Sequence, residues 1–105
     1  EIKGKDVLLV DDIVATAGSL TEAAKALKKN GAKKIYAFVT HGVLSGPAID
    51  RLRKSPITKL IITDSIPLKK KNKKIEVITV SELLGEAIRR IHHNESVSSL
   101  FDYSA

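Results

Sequence analysis

The chain has 105 residues, of which 43% are hydrophobic and 29% charged, and it carries a net charge of +6. This length allows at most one domain with one modest core. Cysteine is absent, which excludes disulfides and thiolate metal sites. The sequence has no apolar run of the about 18 residues that a membrane span needs, and its first residues do not look like a secretion signal. We therefore predict a cytoplasmic protein without a membrane partner.

The positive charge raises nucleic acid as a partner, because basic domains often bind it. The two tyrosines and two phenylalanines, however, do not alternate with basic residues as they do in single-strand binders. Five of the eighteen positive residues lie in one run at 69–74, a pattern typical of a solvated loop. We therefore predict no nucleic-acid partner.

The first predicted element is a strand at 6–11, followed by a helix near 19–30. The four consecutive aliphatic residues of the strand, VLLV, predict that it is buried on both faces. Asp11 and Asp12 come at the carboxyl end of this strand, where open α/β sheets bind their ligands. Ser19 is predicted to be the N-cap of the helix, with Glu22 at the capping-box position.

The small residues between this strand and this helix suit an anion. A helix N-terminus presents free N–H groups and a partial positive charge, and residues 16–18 let an anion approach the backbone closely. Thr16 and Ser19 add hydroxyl donors. Carboxylates beside a phosphate are useful when they hold sugar hydroxyls or Mg²⁺, and we predict that role for Asp11 and Asp12.

Three more strands are predicted at 34–39, 57–63 and 75–80, and two more helices at about 46–54 and about 82–93. Strand, helix and strand at this spacing are typical of a right-handed βαβ unit with a parallel sheet. We therefore predict an α/β fold with a central, mostly parallel sheet and helices on both faces.

Polar residues follow the second and third strands. His41 is either catalytic or packed between loops, and the lack of a matching nucleophile favours packing. Asp64 either lines a pocket or forms an Asx turn, and the sequence leaves both interpretations open. His92 and His93 do not converge on one metal ion, because neighbours on a helix point about 100° apart.

The end of the chain contains three serines, Ser96, Ser98 and Ser99. Their hydroxyls and amides are suitable for binding an anion. The alternative is an ordinary frayed terminus.

The stretch DDIVATAGS at 11–19 resembles the ribose-5-phosphate loop of the type I phosphoribosyltransferase fold. Three further stretches, THGVLSGPA at 40–48, TDSIP at 63–67 and NESVSSLF at 94–101, resemble the C-terminal half of the ribose-phosphate pyrophosphokinases in the same order. The resemblance covers nearly the whole chain. The chain departs from the family at Ala15, where the synthetases usually carry Asp, so a contact of that carboxylate to sugar or metal does not carry over.

This resemblance implies a phosphoribosyltransferase-like fold and a two-domain kinase. The enzyme transfers the pyrophosphoryl group of ATP to the C1 hydroxyl of ribose 5-phosphate, releases AMP and uses Mg²⁺. The chain, residues 1–105, would be its C-terminal domain, with the ATP site in an absent N-terminal domain. The resemblance assigns the ribose hydroxyls or the metal to Asp11 and Asp12. It assigns the 5-phosphate to Ala15, Thr16, Ala17, Gly18 and Ser19.

The resemblance also implies a homo-oligomer, with a regulatory phosphate or ADP site at a subunit interface. Ser96, Ser98 and Ser99 would form that site. Because the chain begins one turn before the first strand and offers one of two substrate sites, we expect a fragment that is inactive alone and exposes apolar surface.

Two other functions remain open. A phosphoribosyltransferase would use the same loop to hold phosphoribosyl pyrophosphate, but the sequence shows no aromatic hood for a base. A synthetase-like regulatory subunit without activity is the second alternative, and Ala15 is the feature that supports it.

Overall fold

The computed structural model describes residues 1–101. Within them, four strands form one sheet in the order β1-β2-β3-β4, and every neighbouring pair is parallel. This arrangement confirms the predicted α/β class and the parallel sheet. The strands are β1 (Val7–Val14), β2 (Ile35–Gly42), β3 (Lys59–Thr63) and β4 (Ile75–Ile78), and the helices are α1 (Gly18–Lys29), α2 (Ala48–Lys54), α3 (Ser81–His92) and a short 3-10 helix (Ser98–Phe101).

The first strand is longer than its sequence predicts. It continues to Val14 because β1 and β2 stay paired beyond the predicted ends, with Ile13 opposite His41 and Val14 opposite Gly42. Asp11 and Asp12 therefore lie inside β1 rather than after it. The backbone between Val14 and α1 is correspondingly short, only residues 15–17.

Helices α1 and α2 cover one face of the sheet. The core between them and the sheet is made of small and aliphatic residues that are nearly or fully buried: Val14, Ala17, Ala24, Ala32, Ile35, Ala37, Val39, Ala48, Leu52, Ile57, Leu60 and Ile62. On the opposite face, Leu8 is 58% exposed and Val10 is 72% exposed. The prediction that β1 is buried on both faces is therefore wrong, because alternate side chains of a strand point to opposite faces and residues 1–101 cover only one of them at this strand.

Helix α3 differs from α1 and α2 in having no buried residue. Its apolar positions Leu84, Ile88 and Ile91 are all more than half exposed. In the described part of the chain, none of the helices has both the length and the apolar composition required to cross a membrane.

The start of α1 also differs from its prediction. Ala17, not Ser19, is the N-cap, and it adopts the left-handed conformation with φ 64°. The buried Thr21 closes the first turn, because both its amide and its hydroxyl donate to the Ala17 carbonyl, at 3.1 and 2.6 Å. A capping box centred on Ser19 is therefore wrong: Ser19 lies inside the first turn, and no side chain caps this end.

One lysine of the run at 69–74 has a structural role. Lys69, Lys70, Lys71 and Lys73 are exposed, as predicted for a solvated loop. The ammonium group of Lys74 instead donates to three carbonyls at the end of α2, the nearest at 2.8 Å. Its partial burial lowers the pKa of Lys74 below the ordinary value for lysine.

Candidate anion-binding site

A cleft of about 260 Å³ opens between the carboxyl end of β1 and the N-terminus of α1. Residues 15–19, which the sequence predicts to hold a phosphate, all line it. Asp11 from β1 and Val39 from β2 complete the wall nearest the sheet. The structure thus brings the predicted phosphate loop and one of the two predicted carboxylates to the same cleft.

The carbonyl groups of this loop are held from the protein side by three separate elements. The Val14 carbonyl accepts a hydrogen bond from the Val43 amide at 3.0 Å, and the Ala15 carbonyl accepts one from the Ser45 amide at 2.9 Å. Both donors lie in the segment that follows β2, so the THGVLSGPA stretch supports the loop from behind.

The next two carbonyls are held by helices. The Thr16 carbonyl accepts from the Arg51 guanidinium of α2 at 3.2 Å. The Ala17 carbonyl accepts from Thr21 of α1. Four consecutive peptide groups therefore have their oxygens bonded within the protein.

The opposite ends of these peptide groups are the N–H groups of residues 15–18. None of the described peptide bonds is cis, and in a trans peptide the N–H points away from the C=O. Within residues 1–101, the amides of residues 16–20 donate to no protein acceptor. A row of unpaired N–H groups at the positive end of a helix is suited to a phosphate.

The two predicted carboxylates have different positions. Asp11 lines the cleft. Asp12 is exposed next to it, does not line the cleft, and donates its amide to the Asp11 carboxylate at 2.8 Å. Of the two predicted carboxylates, Asp11 is therefore the one that lines the same cleft as residues 15–19.

Few of the described side chains near the cleft could bind Mg²⁺. No three metal-ligating side chains come together in residues 1–101, so the described part of the chain offers no site built from protein ligands alone. Magnesium usually takes one or two carboxylates together with water and substrate phosphates. Asp11 fits as one such ligand, whereas the methyl side chain of Ala15 supplies none.

His41 and Asp64 have structural partners. The Nδ1 atom of His41 and the Ser65 hydroxyl lie 2.7 Å apart, which favours the interpretation that His41 packs between loops. The Asp64 carboxylate accepts from the Thr79 hydroxyl at 2.7 Å and from the Val80 amide at 2.9 Å, and these bonds hold the pKa of Asp64 below its ordinary value. Asp64 thus joins β3 to the start of α3, which neither sequence interpretation predicts.

The three predicted serines also come together. The hydroxyls of Ser96 and Ser98 lie 3.0 Å apart. Arg90 donates to the Ser99 hydroxyl at 2.6 Å and to the Ser96 carbonyl at 3.2 Å. The same guanidinium donates to Glu86 at 2.9 Å, so the cluster is tied to α3.

Sequence reasoning missed Arg51 and Arg90. Arg51 is 35 positions from the loop residue that it contacts, and no local pattern connects such distant residues. Arg90 is closer to its partners, and the basic end of α3 ahead of a serine-rich stretch is a signal that points to it.

Known proteins resemble this chain along nearly all of its length. The family model described as the phosphoribosyl synthetase-associated domain matches residues 1–102. The ribose-phosphate pyrophosphokinase of Caldanaerobacter subterraneus subsp. tengcongensis is 57% identical over 103 residues, which are 96% of this chain and 33% of that protein. The ribose-phosphate pyrophosphokinase of Oceanobacillus iheyensis is 56% identical, over 96% of this chain and 32% of that protein.

The fold of this chain is also similar to that of a solved synthetase structure. The crystal structure of phosphoribosylpyrophosphate synthetase from Mycobacterium smegmatis matches with a TM-score of 0.85 and 34% identity, covering 89% of this chain and 32% of that one. The chain spans about a third of the length of these relatives. The chain therefore belongs to the phosphoribosyl synthetase-associated domain family, as its resemblance to the ribose-phosphate pyrophosphokinases predicted.

Proposed function

We propose that this chain is the C-terminal, ribose-5-phosphate-binding domain of a ribose-phosphate pyrophosphokinase. The observation that carries the proposal is the loop whose carbonyls at 14–17 are all bonded within the protein, which leaves its amides facing a cleft. The names of relatives more than half identical to this chain support the same function. The whole enzyme would transfer the pyrophosphoryl group of ATP to the C1 hydroxyl of ribose 5-phosphate and release AMP.

The loop would bind the 5-phosphate, and β1 would bind the sugar. The amides of residues 15–19 and the hydroxyls of Thr16 and Ser19 are the donors for the phosphate oxygens. Asp11 is on the sheet side of the same cleft and would accept hydrogen bonds from ribose hydroxyls. Placing the phosphate at the helix and the carboxylate near the sugar keeps the two negative charges apart.

Magnesium, when bound, neutralises the phosphates and helps to orient the reactants. Asp11 is the residue of this chain that would hold it, through oxygens shared with the substrate. Asp12 would act in the hydration shell of the ion, because it is exposed beside Asp11.

The ATP site would lie in the remainder of a longer enzyme. Phosphoryl-group transfer needs cationic groups that are already in place around the transferred group. The densest cationic segment here is the run at 69–74, four of whose lysines are solvated and whose fifth, Lys74, is engaged with α2. We therefore expect this chain alone to form no AMP from ATP, Mg²⁺ and ribose 5-phosphate.

The serine cluster would be a regulatory anion site of the same enzyme, at an interface between its subunits. The hydroxyls of Ser96 and Ser98 lie within hydrogen-bond distance of each other, and the Arg90 guanidinium donates to the Ser99 hydroxyl and to the Ser96 carbonyl. These groups are donors that suit a phosphate or the phosphates of ADP.

The binding half of the proposal is tested by NMR titration of this chain with ribose 5-phosphate, inorganic phosphate and ribose in turn. We expect the amides of residues 15–19 to shift with both phosphate compounds, and the amide of Asp11 to shift only with ribose 5-phosphate. Shifts confined to the lysine run would contradict the assignment.

The catalytic half is tested with the intact protein that carries this domain. AMP formed from ATP, Mg²⁺ and ribose 5-phosphate would support the kinase. Consumption of phosphoribosyl pyrophosphate with a free base would instead indicate a phosphoribosyltransferase. A protein that forms no AMP but raises the activity of a synthetase partner would indicate a regulatory subunit.

A further inference from the structure

Arg51 connects α2 to the phosphate loop through its guanidinium group. Its Nη1 atom donates to the Thr16 carbonyl at 3.2 Å. The same atom is 3.2 Å from the position that a Cβ would occupy on Gly18. The guanidinium thus lies directly behind the loop, beside a cleft between α1 and α2 that is separate from the phosphate cleft.

Among residues 1–101, no carboxylate pairs with the guanidinium group of Arg51. The neighbouring Asp50 pairs with Arg53 at 2.6 Å and with Lys54 at 3.0 Å. In the part of the chain that the structure describes, Arg51 forms no ion pair. Its strongest described contact is therefore the one to the loop.

That contact acts on a single peptide group. The Thr16 C=O and the Ala17 N–H belong to the same planar peptide unit, so a donor that fixes the carbonyl also fixes the direction of the N–H. A charged donor on the carbonyl also polarises the unit and makes its N–H a stronger donor. The other three loop carbonyls are held by backbone amides or, at Ala17, by Thr21 of the same helix.

We propose that Arg51 is a positioning residue of the phosphate site: it orients and polarises the peptide between Thr16 and Ala17 so that the Ala17 amide donates to the bound phosphate. Arg51 does so from the side of the loop opposite the cleft, without touching the ligand. This inference rests on the proposed function, because it requires the loop to bind phosphate.

The test compares Arg51→Met with Arg53→Met, two variants on the same helix that each remove one positive charge. Only the first removes a contact to the loop, since Arg53 pairs with Asp50. We expect Arg51→Met to weaken the binding of inorganic phosphate about five- to tenfold, the loss of one charge-assisted hydrogen bond at an exposed site. Arg53→Met should weaken it less than about twofold, because its charge is distant and screened.

A second measurement distinguishes positioning from charge. In the ligand-free protein, Arg51→Met should move the amide proton of Ala17 upfield more than the amide protons of Thr16 or Gly18, because only the Ala17 peptide loses its charged donor. Arg53→Met should leave all three in place. Arg51→Gln, whose shorter side chain does not reach the loop, should behave like Arg51→Met and replaces it if that variant does not fold.

The outcomes separate this inference from the function on which it rests. If the unmodified chain binds phosphate at the loop, and the Arg51 and Arg53 variants bind it equally, Arg51 has no positioning role. If the unmodified chain does not bind phosphate at residues 15–19, the proposed function itself is wrong.

Discussion

The two faces of the sheet carry similar aliphatic residues but have different surroundings. On the face covered by α1 and α2, Ile35, Val39 and Leu60 are completely buried. On the other face, Leu8 and Val10 are mostly exposed. The comparison shows that an unbroken aliphatic run predicts a strand of a buried sheet, whereas the burial of each face depends on elements elsewhere.

Helices α1 and α3 repeat this contrast. Both have 12 residues, but α1 buries Thr21 and Ala24 whereas α3 buries none. The contact that joins the start of α3 to the end of β3 is polar, from the Val80 amide to the Asp64 carboxylate, whereas the bonds of Glu86 go to Arg89 and Arg90 of the same helix. The cleft lined by residues 15–19 therefore lies on the well-packed side of the molecule, whereas the serine cluster is attached to a helix that buries no residue.

The largest expected difference between the two faces is in stability. Leu60→Ala should lower the free energy of unfolding by about 2–5 kcal/mol, because it leaves a cavity in a closed core. Leu8→Ala removes the same atoms from a position that is 58% exposed and should cost less than about 1 kcal/mol. Chemical denaturation measures both. Equal losses would mean that the face of Leu8 is covered in solution, for example by self-association.

The alternation of faces along β1 also separates Asp11 from Asp12. We expect Asp11→Asn to weaken the binding of ribose 5-phosphate about tenfold, the loss of a charge-assisted hydrogen bond to the sugar. Asp12→Asn should weaken it less than about threefold, as a loss of screened surface charge. Neither variant should weaken the binding of inorganic phosphate more than that of ribose 5-phosphate, and calorimetric titration with both ligands checks the pair.

Alanine substitutions at two glycines test the difference in packing, because we expect them to change the stability of the fold in opposite directions. A Cβ on Gly42 would lie 2.7 Å from Ile62 Cδ1, so Gly42→Ala should destabilise the fold by about 1–3 kcal/mol through overpacking. A Cβ on Gly85 in α3 would meet no atom within 4 Å, so Gly85→Ala should stabilise by about 0.5–1 kcal/mol through helix propensity. Thermal unfolding of both variants shows whether each substitution raises or lowers the stability. A loss at Gly85 would show that α3 packs against a partner in solution.

The smallest expected effect is a pH dependence confined to α3. Hydrogen bonds from Arg89 and then Arg90 lower the pKa of Glu86 to about 2 from an unfolded value of 4.5. A depressed pKa contributes stability that is present above pH 4.5 and is lost as the pH falls from 4.5 towards 2. Hydrogen exchange in α3 should rise over that range, and Glu86→Gln should remove this part of the pH dependence while α1 stays unaffected. Because the groups are solvent-exposed, salt should reduce the effect.

The parts of the fold that the sequence predicted correctly are those with local causes. The strand, loop and helix order from Val7 to Lys29 follows from an aliphatic run, small residues and a 3.6-residue period. The anion-binding role of the loop stays a prediction, and it depends on the positive end of a helix and the absence of bulky side chains, which are both visible in the sequence.

The parts that the sequence did not predict depend on distant residues. The end of β1 at Val14 depends on pairing with β2, and the orientation of the loop depends on Ser45 and Arg51. The prediction of Ser19 as the cap is wrong: its spacing to Glu22 matches the usual pattern, but the buried Thr21 bonds to the Ala17 carbonyl and the helix begins two residues earlier, after Ala17.

The left-handed backbone of Ala17 has a consequence for how quickly a ligand is captured. A residue other than glycine at φ 64° is held there by its surroundings at a cost of about 1–2 kcal/mol, and Ala17 is 4% exposed. This conformational free energy is therefore expended once, when the chain folds, and the loop does not have to rearrange before each encounter with an anion. The rate of phosphate association should then be limited by diffusion and charge, not by a motion of the loop. We expect this association rate to fall with added salt and to be insensitive to strain at residue 17.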